Sequence, residues 1–268
     1  MGGVIVSVII PLYNCEKFVL QTLDSVYHQT DIKYECIIVD DGSVDNSAKI
    51  VKDFIIGKDN FSYYYQDNSG VCIARNYGVS LSKGKYLLFL DSDDLLDRGS
   101  LKEMCNLIGS ESAIDIVSPK TIFFGRSKGQ YLPSGDLSIR SFLHENKLVV
   151  SCLIEKEKFI RAGQFNENMK KGLEDWDFWI RFVSCYPKIL VCEKAIFRYR
   201  ILSKSRNRSI SRENETKLRK QIWENNKELF ASHFIDPKDT FEYKVIEQSY
   251  EYKLGSVLMK PIRFLLRK

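Results

Sequence analysis

The sequence predicts an α/β fold built on a mostly parallel sheet with helices on both faces. From Val4 to Asp94, short apolar runs rich in β-formers alternate with stretches of helical periodicity, and the connections between them are short. Parallel neighbours need a crossover between them, and the helical stretches supply it. The chain of 268 residues, 44% hydrophobic and 28% charged, is large enough for a full core. Its composition excludes collagen-like, mucin-like and wholly disordered chains.

Val4 to Ile10 is apolar except for Ser7 and ends at Pro11, the pattern of a strand buried on both faces. Phe18, Val19, Thr22, Leu23 and Val26 then recur at helical spacing between Glu16 and Gln29. Glu35 to Val39 is a second strand, closed by Asp40-Asp41-Gly42-Ser43. There Ser43 or Asp45 can cap a helix carrying Ile50, Val51 and Phe54. Phe61 to Gln66 is a third strand, Gly70 to Ser82 a third helix, and Lys85 to Leu90 a fourth strand ending at Asp91-Ser92-Asp93-Asp94. This is a Rossmann-like layout, in which ligands collect at the carboxyl ends of the strands.

Further on, Ile114 to Ser118 reads as a strand, Ile122 to Phe124 as an outer strand, Gln130 to Gly135 as a loop, and Val149 to Ile154 as a buried strand. Leu173 to Val183 reads as a helix with the acidic start Glu174-Asp175. Ser203 to Ser211 reads as a polar, basic loop, and Glu213 to Phe230 and Glu242 to Met259 as helices.

Other classes are set aside by what the residues do not spell. The seven cysteines are scattered with no Cys-x-x-Cys spacing, and the three histidines form no His-Glu-x-x-His pair, which argues against a disulfide framework and a zinc site. No run of 18 uncharged apolar residues and no secretory leader pattern is visible, so a cytoplasmic location is expected. The net charge of +5 equals the five cations between Lys253 and Lys268, so the excess is local and no nucleic acid is expected as partner.

Taken alone, Asp40-Asp41-Gly42 is ordinary turn and cap chemistry. Asp91, Asp93 and Asp94 ask for more, because three carboxylates in four residues repel unless a cation or donors offset them. Hard oxygen ligands suit Mg2+ or Mn2+, which bind through one or two carboxylates together with substrate phosphates. Neither Gly-x-Gly-x-x-Gly nor a P-loop is present, so a nucleotide site resting on an Asp-x-Asp clamp is what remains.

Five blocks occur in order: Val6-Ser7-Val8-Ile9-Ile10-Pro11-Leu12-Tyr13-Asn14; Ile38-Val39-Asp40-Asp41-Gly42-Ser43; Ser69-Gly70 with Ala74-Arg75-Asn76-Tyr77-Gly78; Gly84 through Asp94; and Glu174-Asp175-Trp176-Asp177-Phe178-Trp179. On these the sequence resembles the family 2 inverting glycosyltransferases of bacterial surface-polysaccharide type, with their GT-A fold. The resemblance implies a GT-A domain over residues 1–205, with a nucleotide-binding half at 1–100 and an acceptor half at 101–205, followed by a helical C-terminal extension at 206–268.

Carried over residue by residue, the resemblance implies that Pro11, Tyr13 and Asp41 hold the nucleoside of a UDP-sugar, with Asp40 supporting their loop and Arg75 shaping the donor pocket. Asp91 would lie near the ribose, Asp93 on the metal (Mn2+ or Mg2+), and Asp94 behind it. Asp175 would be the general base beside Glu174, giving inversion at the sugar. A Gln-x-x-Arg-Trp block is replaced by Trp179-Ile180-Arg181-Phe182, which points away from a processive synthase. Two enzyme-free or different-chemistry alternatives stay open here, a sugar nucleotidyltransferase and an inactive nucleotide-binding scaffold.

Two basic segments complete the reading. Arg198, Arg200, Lys204, Arg206 and Arg208 form a loop able to close over the diphosphate, since arginine forks match phosphate oxygens. Residues 253–268 mix apolar residues with cations, a composition suited to an anionic membrane surface and hence to a glycan or lipid-linked acceptor, with Pro261 expected to break the helix.

Overall fold

The computed structural model describes residues 5–110, 114–202, 211–233, 238 and 241–266. The first four strands are β1 (Val6–Leu12), β2 (Tyr34–Asp41), β3 (Phe61–Gln66) and β4 (Tyr86–Phe89), joined by α1 (Val19–Tyr27), α2 (Ser47–Ile55) and α3 (Val71–Leu81). All three pairings among these strands are parallel, in the spatial order β3-β2-β1-β4.

The sheet then continues with β5 (Leu95–Leu96), β6 (Ile116–Gly125), β7 (Gly129–Tyr131), β8 (Leu153–Glu155) and β9 (Ile189–Ile201), in the order β4-β8-β6-β9-β5 with β7 on β6. Its longest pairing, β6 with β9, is again parallel, whereas the antiparallel pairings span two or three residues each. The expected α/β layout with a mostly parallel sheet therefore stands.

Strand period decides which side chain enters which layer. Val6, Val8, Ile10 and Leu12 face the core under α1 and α2, while Ile9 faces the opposite core. Leu88 and Leu90 follow the first group, Leu87 and Phe89 the second. The uninterrupted apolar runs are thus those of strands covered twice, each buried Leu, Ile or Val contributing about 1.5–3 kcal/mol. On the second face α3 lies so close that a Cβ at Gly78 would meet Ile9 Cγ2 at 2.6 Å.

That second face is completed by α5 (Ile139–Phe142), α6 (Lys156–Arg161) and α7 (Glu174–Cys185), whose Phe159, Phe178, Trp179 and Phe182 form one aromatic cluster. On the first face α4 (Ser100–Ser110) buries Leu101, Met104 and Ile108.

Several elements differ from expectation. The two strands expected between Ile114 and Phe124 are one strand, β6, with a register irregularity at Pro119/Lys120 where proline has no N–H to give the ladder. The strand expected at Val149 to Ile154 contracts to Leu153–Glu155. Strand β9 was hidden because Glu193 and Lys194 interrupt its apolar pattern; it takes Arg198 and Arg200 out of the expected loop. Lys204, Arg206 and Arg208 lie outside the described residues, as do Val4, Arg267 and Lys268.

The helix expected at Glu213 to Phe230 is divided at Asn226 into α8 (Arg212–Asn225) and α9 (Lys227–Ser232). Asp177 engages both residues at the break: fully buried, it accepts from Asn225 Nδ2 at 2.8 Å and Asn226 Nδ2 at 3.0 Å on one oxygen. Its other oxygen accepts from Asn166 at 2.7 Å and Arg181 at 3.2 Å. Leu218 and Ile222 of α8 also enter the α7 core, so this part of the C-terminal extension is fastened to α7.

The last expected helix is likewise divided, into α10 (Phe241–Gln248) and α11 (Tyr250–Leu266). Pro261 does not end it: α11 passes through that position, giving up one backbone hydrogen bond. No helix among the described residues is long and apolar enough to cross a membrane.

Candidate active site

Parallel β1, β2 and β4 end at the same edge of the sheet, and their loops border a cavity of about 510 Å³. Pro11, Tyr13, Asp41, Asp91 and Asp93 all line it, together with Lys170, Tyr199 and Arg200. Tyr13 is half exposed, its ring standing at the rim.

Asp40 and Asp41 differ in what they hold. Asp40, fully buried, accepts from the Ser43 N–H at 2.8 Å and the Tyr63 hydroxyl at 2.7 Å, which shapes the turn after β2. Asp41 accepts from Gln66 Nε2 at 2.7 Å and from the N–H groups of Ser69 and Gly70 at 2.8 and 2.9 Å, so it ties that turn to the start of α3. Gly42, with φ at 79°, is required there: a Cβ would meet the Asn68 nitrogen at 2.8 Å.

Asp91, Asp93 and Asp94 follow β4. Asp94 is buried and accepts from the Arg200 N–H at 2.7 Å; burial first, then the charges of Asp93 and Asp91, push its carboxyl well above the usual range. Asp91 remains partly open to the cavity, with Oδ1 at 2.6 Å from Arg75 Nη2. Arg75 is not a surface arginine. Its guanidinium is buried, and Nη1 reaches Glu174 Oε1 at 3.0 Å. Burial alone would lower its pKa, but the two carboxylates raise it, so it stays charged.

Glu174 and Asp175 open α7 next to Leu173, whose left-handed backbone (φ 58°, ψ 19°) is unusual for a leucine. Asp175 looks into a second cavity of about 260 Å³, also lined by Arg75, Asp94, Asn146 and Glu174. Asp91 and Tyr199 line both cavities, so the two adjoin. Asp175 accepts from Asn146 Nδ2 at 2.9 Å and the Trp176 N–H at 2.8 Å. Burial, and then Glu174, push its carboxyl up to about 6 against the opposing pull of Arg75 and these hydrogen bonds.

Strand β9 contributes the far wall. Arg200 donates from Nε to the Asp93 carbonyl at 2.6 Å and from Nη2 to Gln21 at 2.8 Å, and its guanidinium lies over Phe18 and Phe124 at 4.5 and 4.4 Å. Arg198 turns away and pairs with Asp97. Tyr199, burdened by burial and by Asp94, Asp91, Asp93 and Asp175, holds its proton well above the usual tyrosine range.

The donor set fits a magnesium or manganese ion only of the kind that relies on its substrate. Among the described residues no group of three His, Cys, Asp or Glu side chains stands ready to enclose a metal. Asp93 opens on the larger cavity, and one carboxylate completed by phosphate oxygens and water satisfies such an ion.

The family model described as Glycosyl transferase family 2 matches residues 7–173, more than half of the chain. The chain belongs to glycosyl transferase family 2. Among the proteins it resembles, an uncharacterized glycosyltransferase of Rickettsia typhi is 29% identical over 215 residues, covering 75% of this chain and 64% of that protein. The minor teichoic acid biosynthesis protein GgaB of Bacillus subtilis is 29% identical over 250 residues, covering 89% of this chain and 27% of GgaB. The chain thus spans less than two thirds of the length of either relative.

The crystal structure of S. aureus TarS residues 1–349 in complex with UDP-GlcNAc superposes with a TM-score of 0.70 at 23% identity, covering 82% of this chain and 66% of that one. It shares the family 2 fold. The structure of this family 2 chain brings Pro11, Tyr13, Asp41, Asp91 and Asp93 to one cavity and Arg75, Asp94, Glu174 and Asp175 to its neighbour. Asn146, Lys170 and Tyr199 escaped the sequence reading. Only Lys170 left a trace there, as half of a basic pair ahead of Gly172-Leu173.

Proposed function

We propose that the chain is a metal-dependent, inverting glycosyltransferase that moves a sugar from a UDP-sugar donor to a hydroxyl of a glycan or lipid-linked acceptor in bacterial surface-polymer assembly. The observation that carries this reading is the junction of the two cavities at Asp91 and Tyr199, with Asp93 on one side and Asp175 on the other. Family membership, a fold neighbour crystallised with UDP-GlcNAc, and a relative named for minor teichoic acid biosynthesis all support it.

In this reading the larger cavity takes the nucleotide. Tyr13, Pro11 and Asp41 border the base, and Asp91 receives the ribose. Lys170 and Arg200 face the diphosphate with positive charge, so the leaving group develops its negative charge beside cations. A Mg2+ or Mn2+ ion held by Asp93 would supply Lewis-acid stabilisation to that leaving group. From the smaller cavity Asp175 takes the proton of the attacking hydroxyl, a step worth ~10²–10⁴-fold. Attack from the Asp175 side, opposite the diphosphate, inverts the anomeric centre.

The exposed end of the chain supports a membrane-facing placement. Leu254, Val257 and Leu258 of α11 are more than half exposed, and Lys253 and Lys260 stand among them. A helix of that composition lies at an anionic bilayer surface with cations at the headgroups, where a lipid-linked acceptor would be met.

A thermal-shift screen of UDP and UDP-sugars with manganese tests the proposal, because a ligand bound by the folded state raises Tm with affinity and concentration. A rise with UDP and at least one UDP-sugar is expected. No rise with any of them at millimolar concentration contradicts the reading.

A further inference from the structure

Asn146 lies in the loop between α5 and β8, on the wall of the 260 Å³ cavity, with Nδ2 at 2.9 Å from Asp175 Oδ2. The direction of its amide is set by a second bond. The Leu148 N–H donates to Asn146 Oδ1 at 3.3 Å, so the NH2 end and not the carbonyl end meets the carboxylate. The loop around it is braced: the Tyr131 hydroxyl donates to the Lys147 carbonyl at 2.8 Å, Lys147 pairs with Glu145 at 2.6 Å, and Leu148 is buried.

Each oxygen of Asp175 therefore holds one neutral donor, Asn146 on Oδ2 and the Trp176 N–H on Oδ1. Two such bonds fix the plane of a carboxylate and leave lone pairs for the cavity. We propose that Asn146 is a positioning residue for Asp175, holding its carboxylate in the orientation in which an unused lone pair meets an incoming hydroxyl. The inference rests on the reading of Asp175 as proton acceptor.

The surrounding groups show why a neutral amide suits this place. Asp175 faces Glu174 on its own helix, Arg75 from α3, Tyr199 from β9, Cys152 before β8, and Asp91 and Asp94 across the cavity. Arg75 already bonds Asp91 and Glu174. Among the described residues Asn146 is the side chain that donates directly to Asp175. An amide favours the ionised form without adding a positive charge, which would weaken the carboxylate as a base.

The test is a carbon-13 NMR titration of the full chain labelled at the aspartate carboxyl carbons, with the Asp175 resonance identified by its loss in Asp175→Asn. In Asn146→Ala the Asp175 midpoint is expected to rise by about 0.5–1 pH unit, a roughly three- to tenfold gain in proton affinity. Asn146→Asp keeps the size of the side chain and replaces the donor by a second carboxylate, so the shift there is larger. It answers alone if the alanine variant does not fold. A midpoint unmoved in the folded variants overturns the proposal. Turnover of the donor selected by the thermal-shift screen separates the two readings: near-normal turnover in Asp175→Asn removes the base assignment, while the titration still reports on the Asn146 contact.

Discussion

Arg75 and Glu174, ninety-nine positions apart, meet in a buried ion pair of 3.0 Å, and the same guanidinium holds Asp91 at 2.6 Å. One side chain on α3 thereby ties the acid at the end of β4 to the first turn of α7, on the wall of the smaller cavity.

Breaking that link by Arg75→Met should cost about 3–5 kcal/mol, because Glu174 is left buried without its cation. Urea denaturation measures it. A loss below about 1 kcal/mol would show that the pair is incidental to the fold.

Asp177 makes a second prediction, separate from the chemistry. Asp177→Ala leaves the donors of Asn166, Arg181, Asn225 and Asn226 without their common acceptor, at a cost of about 1–3 kcal/mol for each one that stays buried and unsatisfied. Amide exchange in α8 and α9 should accelerate together with the fall in Tm. Unchanged exchange there would mean that the contacts other than Asp177, chiefly Leu218, Ile222 and the Arg219 guanidinium over Trp176, suffice to hold the extension to α7.

The pH profile follows from Asp175. Its carboxyl is pushed up to about 6, so the ionised, proton-accepting form is lost as pH falls through that value. The apparent kcat/KM should be level above about pH 7 and fall with pH below 6, about tenfold per unit once well below the midpoint. Asp175→Asn should lower turnover by orders of magnitude and remove this limb. An acid limb that persists in Asp175→Asn belongs to another group.

Deleting residues 253–268 should reduce binding to vesicles containing anionic lipid, and the remaining binding should depend less on salt. Donor turnover in solution should be preserved. Vesicle binding equal to that of the full chain removes α11 from the membrane reading.

Much of the site was legible because its acids stand where strands end. Asp40-Asp41 and Asp91 to Asp94 follow apolar runs that only a doubly covered sheet can bury, and a sheet edge gathers its strand ends without further information. Glu174-Asp175 was legible as a helix start. What escaped depends on partners distant in the chain. Arg75 carries no local sign that its guanidinium is buried, since the residues that neutralise it are Asp91 and Glu174.

Asn146 belongs to a loop without periodicity, and Tyr199 to a strand whose charges at Glu193 and Lys194 broke its pattern, the same strand that carries Arg200, expected in a loop. Asp177, two residues on from Asp175 in the same helix, turns away from the cavity into the core, where four donors take it up. Sequence supplies charge and period; which of two neighbouring acids is buried is a matter of packing.

Calorimetric titration of UDP into the wild type, Asp93→Ala and Asp175→Asn, each with and without manganese, tests the central claim most directly. Binding by the wild type is expected to require manganese, to be lost in Asp93→Ala and to be retained in Asp175→Asn. Binding of equal strength without the ion, or undiminished in Asp93→Ala, would contradict it.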